Sequence, residues 1–227
     1  MNNSFKKPTV IVFDVNETLL NMTDIKEKVN KALGSKNGFK LWFTQLLQYS
    51  LVDTVTGSYH DFGGIADVTL EMTALGLETE LKEEDKKEIL NAMKSLPPHE
   101  DVKEGLQLLK DAGFRLVSLT NSPKDTLQQQ LKYAGLTNYF ESTLSVDEFK
   151  LYKPHTEVYQ KALSKLGVSP QESLMVASHG WDIAGALAAG MQAGFIERKG
   201  QSLYPLAAPP QHTGKDLVEL AGTIINN

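Results

Sequence analysis

The sequence predicts an α/β protein, a Rossmann-like parallel sheet with helices on both faces and an inserted helical cap. Three observations predict it. From about residue 99 onward, short aliphatic runs alternate with amphipathic helical patterns, as expected for a parallel, helix-covered sheet. Glycines stand where those helices should end. A purely helical stretch separates the first aliphatic run from all the others.

Taken in order, "TVIVF" (9–13) is an apolar run that reads as a buried strand. Residues 21–97 follow, with helical patterns such as "KLWFTQLLQYSLVDTV" and "KEEDKKEILNAMKSL" and no convincing strand. They read as the cap, and Pro97 and Pro98 mark the chain's return. Residues 1–20 and 98–227 then form the core. There "DVKEGLQLLKDAG", "PKDTLQQQLKYAGL", "TEVYQKALSKLGV" and "DIAGALAAG" read as helices, with "FRLVSLT" (114–120), "LMVAS" (174–178) and "AGFIE" (193–197) as strands. Gly113, Gly135, Gly167 and Gly190 suit left-handed positions at helix ends. "QSLYPLAAPPQHTG" reads as a loop, and "EEDKKE" (83–88) as a solvated helix face.

The 227 residues are 41% hydrophobic, enough for one sizeable domain carrying an insertion. A net charge of -5 argues against nucleic-acid and anionic-membrane partners. The absence of cysteine removes disulfides, zinc–thiolate sites and thiol catalysis. The apolar run in "MNNSFKKPTVIVFD" is too short for a signal peptide, and no segment approaches the roughly 18 apolar residues of a membrane span. A soluble, cytoplasmic protein is expected.

In open parallel sheets ligands bind beyond the carboxyl ends of the strands. Asp14 ends the first strand, Thr120 and Asn121 end the second, and "SHGWD" follows the third. An aspartate at such a tip can simply cap a turn. Three polar clusters converging on one crevice point instead to a reactive carboxylate. Ser122 and Pro123 read as the N-cap and first residue of the next helix, whose free amides should face the crevice.

Placed in order, "FDVNETL", "SLTNS", "YKP" and "WDIAGALAAG" resemble motifs one to four of the haloacid dehalogenase superfamily, and the helical stretch resembles its cap. "TLSVDEFKLYKP" (143–154) and "HGWDIAGALAAG" most resemble the type II (S)-2-haloacid dehalogenases. The resemblance implies that Asp14 attacks C2 of a short 2-haloalkanoate, expels halide and forms an ester that water then hydrolyses to the 2-hydroxy acid. It implies that Thr18 orients Asp14, that Lys153 keeps it ionised, and that Asp182 binds Lys153 or the hydrolytic water. Thr120 and Asn121 would hold substrate and halide, with Asn16 and Tyr159 as further contacts. Phe62 and Trp181 would form an aromatic wall, with Trp42 and Tyr49 on the cap side. No metal or cofactor is implied, and a homodimer is.

The chain departs from the superfamily's phosphatases. Their motif one carries two aspartates, but the second position here is Asn16, which cannot act as general acid. Ser178 stands where motif four would offer its first acid, which weakens a magnesium site. A phosphatase with a degenerate magnesium site and a non-catalytic binding protein are the alternatives. Within the type II pattern, Phe43 replaces the cap arginine that meets the halide, Glu17 replaces a glycine, and His179 replaces an asparagine. The last two changes suggest a pair in which Glu17 orients His179 to activate water. His60, His99, His155 and His212 lack metal-ligand spacing.

Overall fold

The computed structural model describes residues 7–226, so part of the N-terminal stretch read against a signal peptide lies outside it. Its centre is a six-stranded sheet in the order β3-β2-β1-β4-β5-β6. The strands are β1 (Val10–Phe13), β2 (Arg115–Thr120), β3 (Ser142–Ser145), β4 (Ser173–Ala177), β5 (Gln192–Ile196) and β6 (His212–Gly214), all paired in parallel. β1 is buried along its whole length and pairs on both sides, Val12 standing opposite Val117 of β2 and Met175 of β4. That is why its sequence is an uninterrupted aliphatic run. The chain winds outward in both directions from β1, so the crevice at the carboxyl ends of β1 and β4 is the topological switch point.

The core helices are α5 (Val102–Asp111), α6 (Lys124–Ala134), α7 (Thr156–Leu166), α8 (Gly180–Ala188) and α9 (Leu217–Ile225). The glycines at 113, 135, 167 and 190 all have positive φ, as helix termini ending in a left-handed residue require. Two edge strands and α9 go beyond the sequence reading. β6 lies in the segment read as a loop. It is three residues long and forms because β5 offers it an unpaired edge. At Gly214 a Cβ would stand 2.6 Å from the backbone nitrogen of Leu220, so α9 packs against β6 through a position only glycine can fill. α6 begins one residue later than expected, with Pro123 at its N-cap. The amide of Lys124 donates to Asp147 (3.1 Å) and that of Ser122 to the Thr120 hydroxyl (3.1 Å), so these amides are not free to face the crevice.

Between β1 and α5 lie α1 (Thr23–Ala32), α2 (Gly38–Thr56), α3 (Phe62–Gly76) and α4 (Glu83–Ala92). The outgoing and returning chains pair where they leave the core: Asn21 N–H donates to Pro97 O (2.8 Å) and His99 N–H to Leu19 O (2.9 Å). Trp42 is fully buried between α2 and α3, its indole donating to Ala66 O (3.0 Å). Tyr49 lies at the protein surface. Neither lines the crevice, which corrects their expected place on its cap side. The 83–88 face is wet except at Lys86, whose ammonium sits among Asp67, Glu71 and Glu83. The α2–α3 turn is clasped to the sheet edge by Tyr59 donating to Asp147, Tyr152 to His60 O (2.5 Å), and the Tyr152 amide to Thr54 Oγ1 (3.1 Å). Among the described residues no helix is long and apolar enough to cross a membrane.

Candidate active site

Asp14 leaves β1 with its amide bonded to Val176 O of β4 (3.0 Å), which pins the carboxylate over the switch point. Its Oδ1 accepts from Lys153 Nζ (2.9 Å), and its Oδ2 accepts from the Thr18 hydroxyl (2.7 Å) and faces His179 Nδ1 (3.1 Å). Lys153 donates its other two protons to Asp182 Oδ2 (2.6 Å) and Leu119 O (3.0 Å), so a fully buried ammonium has every donor met. Asn121 holds this lysine by its backbone, Oδ1 accepting from the Lys153 amide (3.1 Å). The Thr18 hydroxyl also accepts the Ser178 backbone amide (3.0 Å), and the Ser178 hydroxyl stands 3.1 Å from the same oxygen, so the serine at the place of an acid braces the motif-one loop.

A second layer stands on the other side of Asp14. His179 Nε2 lies 2.9 Å from Glu17 Oε2, which also accepts from the Gln201 amide (3.1 Å). Glu17 has φ +60°, a left-handed conformation that suits the glycine it replaces. Its carbonyl accepts from His99 Nε2 (3.0 Å), and Arg198 holds the next carbonyl, that of Thr18, with Nε (3.2 Å) and Nη2 (3.0 Å) while pairing with Asp101. The His179 ring stacks between Trp181 (5.1 Å between centroids) and Phe43 (6.4 Å).

The charges follow from these contacts. Burial alone would push the Asp14 carboxyl up, but Lys153 and His179 beside it hold it well below the usual carboxylate range. Burial alone would lower the His179 imidazole, but Asp14 and Glu17 outweigh it and push the group up to about 9. Lys153 is likewise kept charged against burial by Asp14 and Asp182. Burial pushes Asp182 up, and the opposing pull comes from Lys153 at 2.6 Å and the Tyr159 hydroxyl at 2.5 Å. We read Lys153–Asp182 as an ion pair on that geometry. The resting site thus holds an imidazolium and an ammonium around an ionised Asp14.

These shifts set a pH window. The folded-state pKa of His179, about 9, lies above its ordinary 6.5. Its contribution is therefore fully present below about 6.5 and is lost as pH rises through about 9. Asp14 is depressed, so its contribution is present above its ordinary value of 3.8 and fades as pH falls below it. In urea unfolding, wild type should lose about 3 kcal/mol between pH 6.5 and pH 9.5 that His179→Asn does not lose. Equal losses in the two proteins would contradict the assignment.

A cavity of about 20 Å³ lies over Asp14. Asn16, Thr120, Asn121, Phe62, His179 and Trp181, all named from the sequence, line it. Tyr159 does not. It is fully buried behind Asp182, to which its hydroxyl donates, so its expected substrate contact is corrected to support of Asp182. Asn16 is held by Ser122 (3.0 Å) and Gln130 (3.1 Å) and supplies no acidic proton at the place of a phosphatase's second aspartate. The sequence reading missed Leu47, which lines the cavity one turn beyond Phe43 on α2 and was legible from that spacing. It also missed Gln130, His99, Arg198 and Gln201. They come from distant segments and carry no local signal.

The fold and this constellation define a class: the chain belongs to the haloacid dehalogenase-like hydrolase family, whose model matches residues 8–190. It is 32% identical to (S)-2-haloacid dehalogenase 4A of Burkholderia cepacia, over 95% of this chain and 94% of that protein. It is 34% identical to (S)-2-haloacid dehalogenase 1 of Pseudomonas sp. (strain CBS-3), over 92% of this chain and 93% of the relative. Among solved structures, the L-2-haloacid dehalogenase of Xanthobacter autotrophicus with chloropropionic acid covalently bound superposes with a TM-score of 0.86 at 25% identity, covering 96% of this chain and 98% of that one.

Proposed function

We propose that the chain hydrolyses short 2-haloalkanoic acids to 2-hydroxy acids through an ester on Asp14, as an (S)-2-haloacid dehalogenase. The observation that carries this reading is the state of Asp14. It is an ionised, buried carboxylate held by Lys153 and Thr18 at the floor of a cavity walled by Phe43, Leu47, Phe62 and Trp181. Those contacts keep the carboxylate ionised and fix its oxygens where they can attack a carbon held in the cavity. Halide leaves without a proton, so the lack of an acid at Asn16 is no obstacle. The two carboxylates that a phosphatase would turn to magnesium, Asp14 and Asp182, are both bound to Lys153 here. That disfavours the phosphatase alternative.

Once Asp14 becomes an ester its negative charge is gone. His179 then keeps only Glu17 of the two carboxylates that hold its proton, and it can release that proton and act as a base. Its Nδ1 already faces the Asp14 carboxyl (3.1 Å), where the hydrolytic water must attack Cγ. Thr120, Asn121 and Asn16 orient the substrate, and Asp182 with Tyr159 steadies Lys153. The helices of residues 21–97 serve as the cap. About 20 Å³ holds roughly one water molecule, so the site as described is closed. Substrate enters from a neighbouring apolar pocket of about 380 Å³ that shares Leu47 and Trp181 with the cavity.

The protein acts as a homodimer through an apolar stripe on α2 and α3. Leu41, Val52 and Val55 of α2 and Val68, Met72 and Leu75 of α3 are exposed. Light scattering should give twice the chain mass for wild type and the single-chain mass for Val55→Asp combined with Leu75→Asp; a monomeric wild type would refute the dimer. For the activity, chloro-, bromo- and fluoroacetate should release halide in the presence of a metal chelator. Magnesium-dependent release of phosphate from small esters would support the rival enzyme. Neither activity would leave a binding protein.

A further inference from the structure

A 2-haloalkanoate brings a carboxylate and releases a halide, so the site needs donors for negative charge. Its cations are already committed. Lys153 gives its three protons to Asp14, Asp182 and Leu119 O. Both ring nitrogens of His179 face carboxylates, at 3.1 Å and 2.9 Å. Phe43 stands where the resemblance implies an arginine. The anionic groups of the substrate must therefore meet neutral donors. Asn16 lines the cavity over Asp14, and it can supply such a donor only if its amide nitrogen faces inward.

A chain of contacts decides which end of that amide faces the cavity. Met93 is the C-cap residue of α4, where carbonyls lack a partner within the helix. A carbonyl only accepts, so the fully buried Gln130 side chain must turn its nitrogen, and not its oxygen, toward Met93 O (2.7 Å). The second Nε2 hydrogen then reaches Asn16 Oδ1 (3.1 Å), which fixes the Asn16 oxygen on the Gln130 side. Asn16 Nδ2 faces the other way, where it gives one hydrogen to Ser122 Oγ (3.0 Å) and keeps one. Ser122 does not set this polarity, because a hydroxyl can donate as well as accept. Among the described residues Gln130 Oε1 has no hydrogen-bond partner. Turning the amide over would set that oxygen against Met93 O. A buried oxygen left unpaired is a cost that calls for a reason.

From this geometry we infer that Gln130 is a positioning residue, one that makes Asn16 present an N–H to the anionic end of the substrate, its carboxylate or its departing halide. The inference rests on the dehalogenase reading and adds to it a donor, the polarity of that donor and the residue that sets it. With the opposite polarity Asn16 would turn a carbonyl oxygen toward an anion and repel it. Met93 belongs to the cap helices and Gln130 to the core, so the orientation of Asn16 holds only while the cap is seated.

The first test is magnetic resonance on protein labelled with heavy-nitrogen asparagine. The Nδ2 signal of Asn16, identified by its loss in Asn16→Ala, should move on addition of sodium acetate where the carboxylate is the partner, and of sodium bromide where the halide is. In Gln130→Leu it should move with neither. The second test is halide release from chloroacetate and bromoacetate. Gln130→Leu should lower kcat/KM roughly tenfold, as loss of one coupled neighbour does, and should lower it no further once Asn16 is alanine. A carboxylate contact places the loss on KM equally for both substrates. A halide contact places it on kcat, and more for chloroacetate, because chloride carries the denser charge. A wild-type Asn16 signal that is silent to both anions overturns the inference, whether or not Gln130→Leu folds. An equal loss from Gln130→Leu with asparagine or alanine at 16 also overturns it, since a purely structural glutamine would behave that way. A wild type whose Asn16 responds but which releases no halide removes the dehalogenase reading and leaves the anion contact standing.

Discussion

Asp14→Asn should lose halide release by about four to six orders of magnitude, the range seen when the nucleophile of a covalent mechanism is removed. An amide of the same shape has no charge to share with carbon. It also leaves Lys153 with Asp182 as its only carboxylate partner and His179 with Glu17 alone. A buried cation that loses a partner is costly, so the variant should also unfold several kcal/mol more easily. Chemical denaturation would register that loss and keep it separate from the chemistry. The decisive measurement for wild type is one turnover in heavy-oxygen water followed by mass analysis of the peptide containing Asp14. The label should enter the side chain first and reach product only in a later cycle, because water attacks Cγ and not C2. Label that passes straight into the hydroxy acid would eliminate the ester.

The second large effect belongs to His179. Replacing it with asparagine should leave ester formation in place and slow ester hydrolysis by about 10² to 10⁴, the usual worth of a positioned base. The enzyme should then release about one equivalent of halide and stall. An adduct on the Asp14 peptide should accumulate to match. Glu17→Gln should shift the same balance less strongly, because the imidazole remains but is no longer paired with a carboxylate at Nε2. Continued turnover by His179→Asn with no adduct would show that water needs no help from this ring. The two experiments are independent, since the first asks which atom water attacks and the second asks what activates it.

Much of this architecture was legible one segment at a time. β1 announces itself because a strand covered on both faces can hold only apolar side chains, and "VIVF" does. The helices of the alternating half show as amphipathic repeats closed by Gly113, Gly135, Gly167 and Gly190, whose positive φ values match the expected ends. β3 and β6 did not show. They are short edge strands, and edge strands take their form from the neighbour they complete more than from their own residues. The expected direction of the amides after Thr120 failed for a similar reason. Asp147, from a different connection, reaches across to claim the Lys124 amide.

What the sequence by itself determined is the kind of chemistry available. It specified a carboxylate at the tip of the first strand, an asparagine where an acid would be needed to protonate a leaving group, one lysine and one further aspartate. It also specified a glutamate and a histidine in two loops of different strands. The tertiary structure alone decided the contacts. Lys153 meets Asp14 across 139 positions, and His179 lies 2.9 Å from Glu17 across 162. The fold also turned Tyr159 from the substrate toward Asp182 and opened a separate cavity behind Glu17. The physical reason is range. Periodicity and end signals act over a few residues, whereas the protonation state of a buried group depends on which charges the folded chain brings within about 4 Å of it.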